Sequence, residues 1–222
     1  MVSQRHRTIG SRDRLIRAAT EEFSARGFDG AKVDRIAAKA GVNKAMLYYH
    51  FDDKAALYRE ILRDLFESLA VQLAHGLPRE ATPEQQVQRF VRIVAGETAA
   101  RPYYPSIWLR EMAEGGRHVD ASILKPIGTI LKVLADILRD GHRRGVFRRA
   151  HPVVVQMGIV APLLLFAASA PTRERLTHLV PGGATGIGRE AVVAHVETAT
   201  LAALKATAAK RARCPPSRRG TR

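Results

Sequence analysis

Between Lys32 and Lys54 the chain sets out side chains suited to grip and read a nucleic acid. Lys32, Lys44 and Lys54 are point cations for phosphate oxygens. Tyr48, Tyr49 and His50 combine an aromatic face with a polar tip, and the Asn43 amide can both donate and accept. Such a set divides the labour of recognition. Contacts to phosphate fix position and register, and contacts to base edges in the major groove read sequence.

Two elements must hold these residues. Ile36, Ala37 and Ala40 fall at helical spacing and predict a first helix with one apolar face. Gly41 then ends it, because a left-handed residue past a helix C-terminus is easiest for glycine. Val42 plugs the angle, and Asn43 is a good N-cap for a second helix over Lys44 to His50. Leu47 points inward and Phe51 joins the core. A short helix that buries one residue and exposes the rest suits a major groove.

These residues carry a resemblance to the TetR family of bacterial transcriptional regulators. Gly27-Phe28, Val33, Ile36-Ala37, Ala40-Gly41-Val42, Lys44, Leu47 to Phe51 and Lys54 to Leu57 resemble the family's N-terminal signature, over roughly Arg12 to Leu62. The resemblance implies that Lys44, Tyr48, His50 and Lys54 meet phosphate, Lys54 aided by free N–H groups at its helix terminus. Asn43, Ala45, Met46 and Tyr49 would then face bases. Packing is the competing role for Tyr48. Asn43 stands where the family usually has Ser or Thr, Ala45 where it has Gly and Met46 where it has Thr. Lys32 replaces the usual hydroxyl cap of the second helix. Base preference therefore does not transfer from a relative. Arg5, Arg7, Arg12 and Arg14 are within reach of backbone or minor groove, or form a solvated basic arm.

The 222 residues carry a net charge of +15, which favours an acidic partner. Its location tempers that inference. Residues 1–58 hold 11 Lys/Arg against 7 Asp/Glu, whereas residues 205–222 hold seven Lys/Arg and no acid. Cys214, the one cysteine, permits no internal disulfide and fits a reducing cytosol. The N-terminus lacks the apolar stretch of a secretory signal. Residues 152–172 carry no charge, but Gln156, Pro162 and several small residues favour a buried helix at a core or subunit interface over a membrane span. A cytoplasmic protein is predicted.

Helical periodicity runs throughout and strand signals are nearly absent, so the fold class is all-α, with about nine helices. Domains are expected as a flexible basic arm over 1–10, a three-helix helix-turn-helix head over 11–58, a helical ligand-binding and dimerisation body over 59–211, and a disordered basic tail over 212–222. Ser11 is expected to cap the first helix and Gly27 to close it. Leu57, Ile61, Leu65 and Leu69 stripe the fourth helix. Thr82 caps the fifth. The eighth runs from Pro152 and stops before Pro171, and the ninth from Arg189 to Lys210.

One short recognition helix reads few base pairs. A two-fold dimer would set two copies about 34–36 Å apart on a palindromic site. The family resemblance implies pairing through the last two helices, and a small-molecule pocket among helices four to eight whose occupancy releases DNA. Phe90, Tyr103, Tyr104, Trp108, Met112, Met157 and Phe166 are the pocket candidates, suited to a largely apolar ligand. Ordinary core is the competing role for each. Arg110, Glu111, Arg117 and His118 read as ordinary solvated charges.

Two other function classes find little footing in the sequence. The segment PGGATGIGREA over 181–191 mimics the phosphate loop of short-chain dehydrogenases, but such a loop must follow a buried strand and open a nucleotide-binding domain. Only 31 residues follow it. The eight histidines are scattered without ligand spacing, so no metal, cofactor or enzymatic role is expected. A non-specific DNA-coating protein and an activator of the same fold remain as rivals to a repressor.

Overall fold

The computed structural model describes residues 10–206 apart from 79, 180, 182 and 184. Arg5 and Arg7 of the arm and Cys214 of the tail lie outside the described residues, as does the tail over 212–222.

Ten helices follow one another among the described residues. The head comprises α1 (Ser11–Gly30), α2 (Val33–Ala40) and α3 (Lys44–His50). In α1, Leu15, Ala18, Ala19 and Phe23 recur at three- and four-residue intervals and are buried. Gly27 closes its regular part with φ 70°. Ser11 does not cap α1 as expected; Gly10 occupies that position, and the Ser11 hydroxyl instead meets His50 Nε2 at 2.7 Å.

The long α4 (Lys54–Gly76) leaves the head and enters the body. Its N-terminus is capped by Asp53, whose carboxylate accepts from Ala56 N at 2.6 Å. Its inner face, Leu57, Leu62, Leu65, Leu69 and Leu73, is continuous with the cores of both parts. Next come α5 (Pro83–Ala100), opened by a Thr82/Gln85 capping box, and α6 (Tyr104–Ala113). α7 (Ala121–Arg143) is capped by Asp120. α7 lies along α4, and α5 packs against α4, α7, α8 and α10.

The C-terminal third departs from the expected pattern. α8 (Pro152–Ala168) ends at Ser169, but a further helix, α9 (Ala170–Leu176), starts immediately, bent from α8 by 64°. Pro171 opens this helix rather than ending the previous one, because the first helical turn needs no N–H from it. The described residues therefore form ten helices, not nine. The final helix, α10 (Arg189–Leu204), stops six residues before Lys210. There Arg148 N donates to Leu204 O at 2.9 Å and Ala206 N to Val146 O at 3.1 Å. This extended strap satisfies backbone groups that a longer helix would have used.

Among the described residues, α8 buries only Ile159, Leu163 and Leu164. Val154, Met157 and Leu165 stand exposed, with Ala161 exposed between them. No single described helix is long and apolar enough to cross a membrane; only the bent α8–α9 pair reaches that length.

Candidate nucleic-acid interface

Helix α3 is held by local geometry at both ends. Gly41 adopts φ 63°, ψ 39°, and its N–H and that of Val42 return to Ala38 and Ala37 carbonyls at 3.1 Å. These bonds close the last turn of α2 and redirect the chain. Asn43 then caps α3, its Oδ1 accepting from Ala45 N at 3.0 Å. That leaves the Asn43 amide NH₂ as the group able to reach outward. Leu47 is wholly buried and fixes the rotation of α3 against α1 and α2.

With Leu47 inside, the opposite side of α3 faces water. Tyr49 is 79% exposed and Tyr48 50%. Asn43, Lys44 and Ala45 are exposed, and Met46 is half-buried. Among the described residues no protein hydrogen bond uses either tyrosine hydroxyl. Two adjacent aromatic rings left exposed on a seven-residue helix offer apolar area and a polar tip to a partner.

The cations divide into held and available groups. Lys32 is exposed and makes no side-chain cap for α2. Lys44 Nζ pairs with Asp34 at 2.9 Å, both side chains open to solvent. Such a surface pair is worth little, so phosphate can displace the carboxylate. Arg14 is exposed. Arg12 is engaged: it pairs with Glu60 and lies 5.3 Å over the Phe51 ring.

Lys54 and His50 are more committed than their sequence positions suggest. Lys54 Nζ donates to Phe28 O at 3.0 Å and Ala31 O at 3.1 Å, and sits 4.3 Å from the Phe28 ring centre. One ammonium proton remains for a phosphate. The α4 N-terminus is less open than expected, since Asp53 occupies the Ala56 N–H. His50 is half-buried and tied to Ser11 of α1.

A second cluster, not read in the sequence, joins head to body. Glu111 and His118 are not solvated charges: Glu111 is 1% exposed. It accepts from His118 N at 2.7 Å and lies 3.0 Å from His118 Nδ1. The His118 ring lies 4.0 Å from Phe28, tilted by 45°, and Tyr58 of α4 lies 5.0 Å away. Burial and the neighbouring Glu111 carboxylate push the Tyr58 hydroxyl far above its ordinary pKa. Arg117 bridges to Asp29 of the head at 2.6 Å and to Glu114 at 2.8 Å. The available signal was spacing: Glu111 follows buried Ile107 by one helical turn and so shares its inward face.

The pocket candidates do not converge. Tyr103 and Tyr104 line a cleft of about 630 Å³ between α1, α4, α5 and α6. Phe166 lines a separate space of about 150 Å³ beside α10. Phe90 is wholly buried core, and Trp108 packs edge-on against Phe66 at 4.7 Å. Met112 is 43% exposed and Met157 65%. The helical period shows which residues share a face, not which faces enclose a space. Among the described residues no His, Cys, Asp and Glu group could hold a metal ion. The glycine-rich stretch before α10 follows a turn, with no strand described ahead of it.

Residues 15–61, the span from the α1 core to the first turns of α4, match the bacterial regulatory proteins of the tetR family. Over that span the chain carries a TetR-type head. It is 29% identical to the transcriptional repressor NicS of Pseudomonas putida over 140 residues, 62% of this chain and 66% of that protein. It is 28% identical to the transcriptional repressor SCO4008 of Streptomyces coelicolor over 174 residues, 78% and 85% of the two chains. The TetR-family regulatory protein from Rhodococcus RHA1 superposes with a TM-score of 0.73 at 17% identity, over 90% of this chain and all of that one. The TetR-type fold thus extends through the body, and the chain is a DNA-binding transcriptional regulator.

Proposed function

We propose that this TetR-type regulator is a homodimeric repressor that reads a palindromic operator through α3 and leaves it when a small ligand binds the body. The exposed face of α3 carries the reading. Tyr48, Tyr49, Lys44 and the Asn43 amide point away from a helix anchored by Leu47. Lys44, Tyr48 and the remaining Lys54 proton serve phosphates, with Lys32 as an outlying cation and His50 bracing α3 against α1. Asn43, Ala45, Met46 and Tyr49 face bases.

Dimerisation is supported by the exposed apolar stripe of α8, with Val154, Met157, Ala161 and Leu165 spaced along one side. Beside it α10 exposes Ala191, Ala194, Ala199, Ala202 and Ala203, small residues that admit close helix approach. An apolar patch of this kind marks an interface. The pairing elements are α8 and α10, with α9 lying between them in sequence. Ligand response is supported by a body far larger than a dimer clamp requires. The repressor sense is supported by the NicS and SCO4008 likenesses, and a regulator of this kind acts in the cytoplasm, on the chromosome.

Sequencing genomic fragments retained by the purified protein at moderate salt tests this. A palindromic motif beside a few promoters is expected. Uniform recovery that fades as salt rises would mean charge-driven coating and would overturn the proposal. Lys44→Ala and Tyr49→Ala together should weaken operator retention at least a hundredfold with the dimer intact by light scattering. Undiminished binding would refute the assignment of α3. Reporter transcription that rises on deletion separates repressor from activator.

A further inference from the structure

We infer that the cleft where head meets body is the effector site, and that it takes a compact apolar molecule bearing an anionic group, with Arg17 as the charge that reads it. This rests on the ligand response proposed above and adds its location and chemical class. The cleft, about 630 Å³, is in the range of small-molecule sites. Ile61 and Leu65 of α4 and Ile107 of α6 give it an apolar floor, while Ile16, Arg17 and Thr20 of α1 form the wall on the head side.

Charge accounting selects the ligand. Two carboxylates and two guanidinium groups line the space. Glu97, 6% exposed, is answered by Arg101 Nε at 2.7 Å and by Gln72. Asp64 is answered by Arg101 Nη1 at 2.7 Å. Each carboxylate thus has a partner, although the two share one guanidinium: burial opposes the Arg101 charge, yet its two carboxylate partners leave its pKa raised. Arg17 is different. It is exposed, and no carboxylate among the described residues lies within ion-pair distance; Glu21, one turn on, is taken by Lys39. A ligand cation meets carboxylates already bonded to Arg101 and Gln72, whereas an anion meets in Arg17 a guanidinium with no carboxylate partner among the described residues. Burial and Glu97 push the Tyr104 hydroxyl well above its ordinary pKa, so it stays a neutral donor on the cleft wall.

The position explains how occupancy would act. One wall belongs to α1 of the head and the others to the body. A molecule filling the cleft therefore touches both parts and favours one head orientation through its difference in affinity for the two.

The test uses the full chain and three probes of one shape: naphthalene-1-carboxylate, naphthalene-1-carboxamide and 1-naphthylmethylammonium. Binding is followed by titration calorimetry. The carboxylate is expected to bind at least tenfold tighter than the amide and the ammonium. Arg17→Gln, a surface change, should erase that order. Ala100→Trp, placed at the exposed end of α5 on the cleft, should abolish binding of all three. Equal affinities, no binding, or binding that survives Ala100→Trp would overturn the inference. Fragment retention separates this from the regulator reading: operator selection without probe binding sinks the cleft alone, and probe binding without operator selection sinks the regulator alone.

Discussion

Glu22 carries a carboxylate into the head at 7% exposure, where burial alone would raise its pKa. The Arg35 guanidinium at 2.6 Å, with Arg26 at 3.2 Å, outweighs that and holds it below the usual range. The folded value is depressed. Its stabilising contribution is therefore complete above the unfolded value of about 4.3 and is lost as pH falls through the folded value. Glu22→Gln should cost about 1–2 kcal/mol at pH 7, since two guanidinium groups lose their charged partner. The gap should narrow as the pH is lowered from 7 to 3. Thermal unfolding of both proteins at the two pH values checks this; a gap that stays constant would show that Glu22 acts by packing alone. The sequence held both arginines but not their convergence, because Arg35 arrives from the next helix.

At the scale of elements, the turn between α2 and α3 depends on one backbone conformation. Gly41 sits at φ 63° with nothing within 4 Å of an added Cβ, so Gly41→Ala isolates conformational strain from crowding. It should destabilise the head by about 1 kcal/mol. Chemical denaturation followed by circular dichroism measures it, and an unchanged midpoint would show the turn tolerates the residue. On α8 the expectation is associative. Val154→Asp with Met157→Glu places charge on a surface that is already exposed in the single chain. The helix content should persist while sedimentation shifts from dimer to monomer; a persisting dimer would locate the interface elsewhere. Gly41, Asn43 and Thr82 were all legible as boundaries because caps act within one turn. α8 does stop before Pro171, but α9 was not legible, since a proline is compatible with stopping one helix and with starting another.

For the molecule as a whole, the junction of head and body rests on Glu111, His118, Phe28 and Tyr58. Removing the imidazole leaves a buried carboxylate short of a partner and strips a ring from Phe28. His118→Ala should cost about 2 kcal/mol and broaden one calorimetric unfolding transition into two, with the head melting first. A single sharp transition at the original temperature would show that the long α4 alone couples the parts.

The sequence by itself determined the all-helical class, the cap-and-turn geometry around α3, the inward set Leu47 and Phe51, and the outward set led by Tyr49 and Lys44. Each depends on neighbours within a few residues, where periodicity and capping chemistry act. Only the tertiary structure decided that Glu111 and His118 are interior, that Lys54 and Arg12 are already engaged, that Phe90 and Met157 share no cavity, and that Arg17 borders one. Those outcomes depend on which helix faces meet across distant parts of the chain, and helical spacing records a face without recording what lies opposite it.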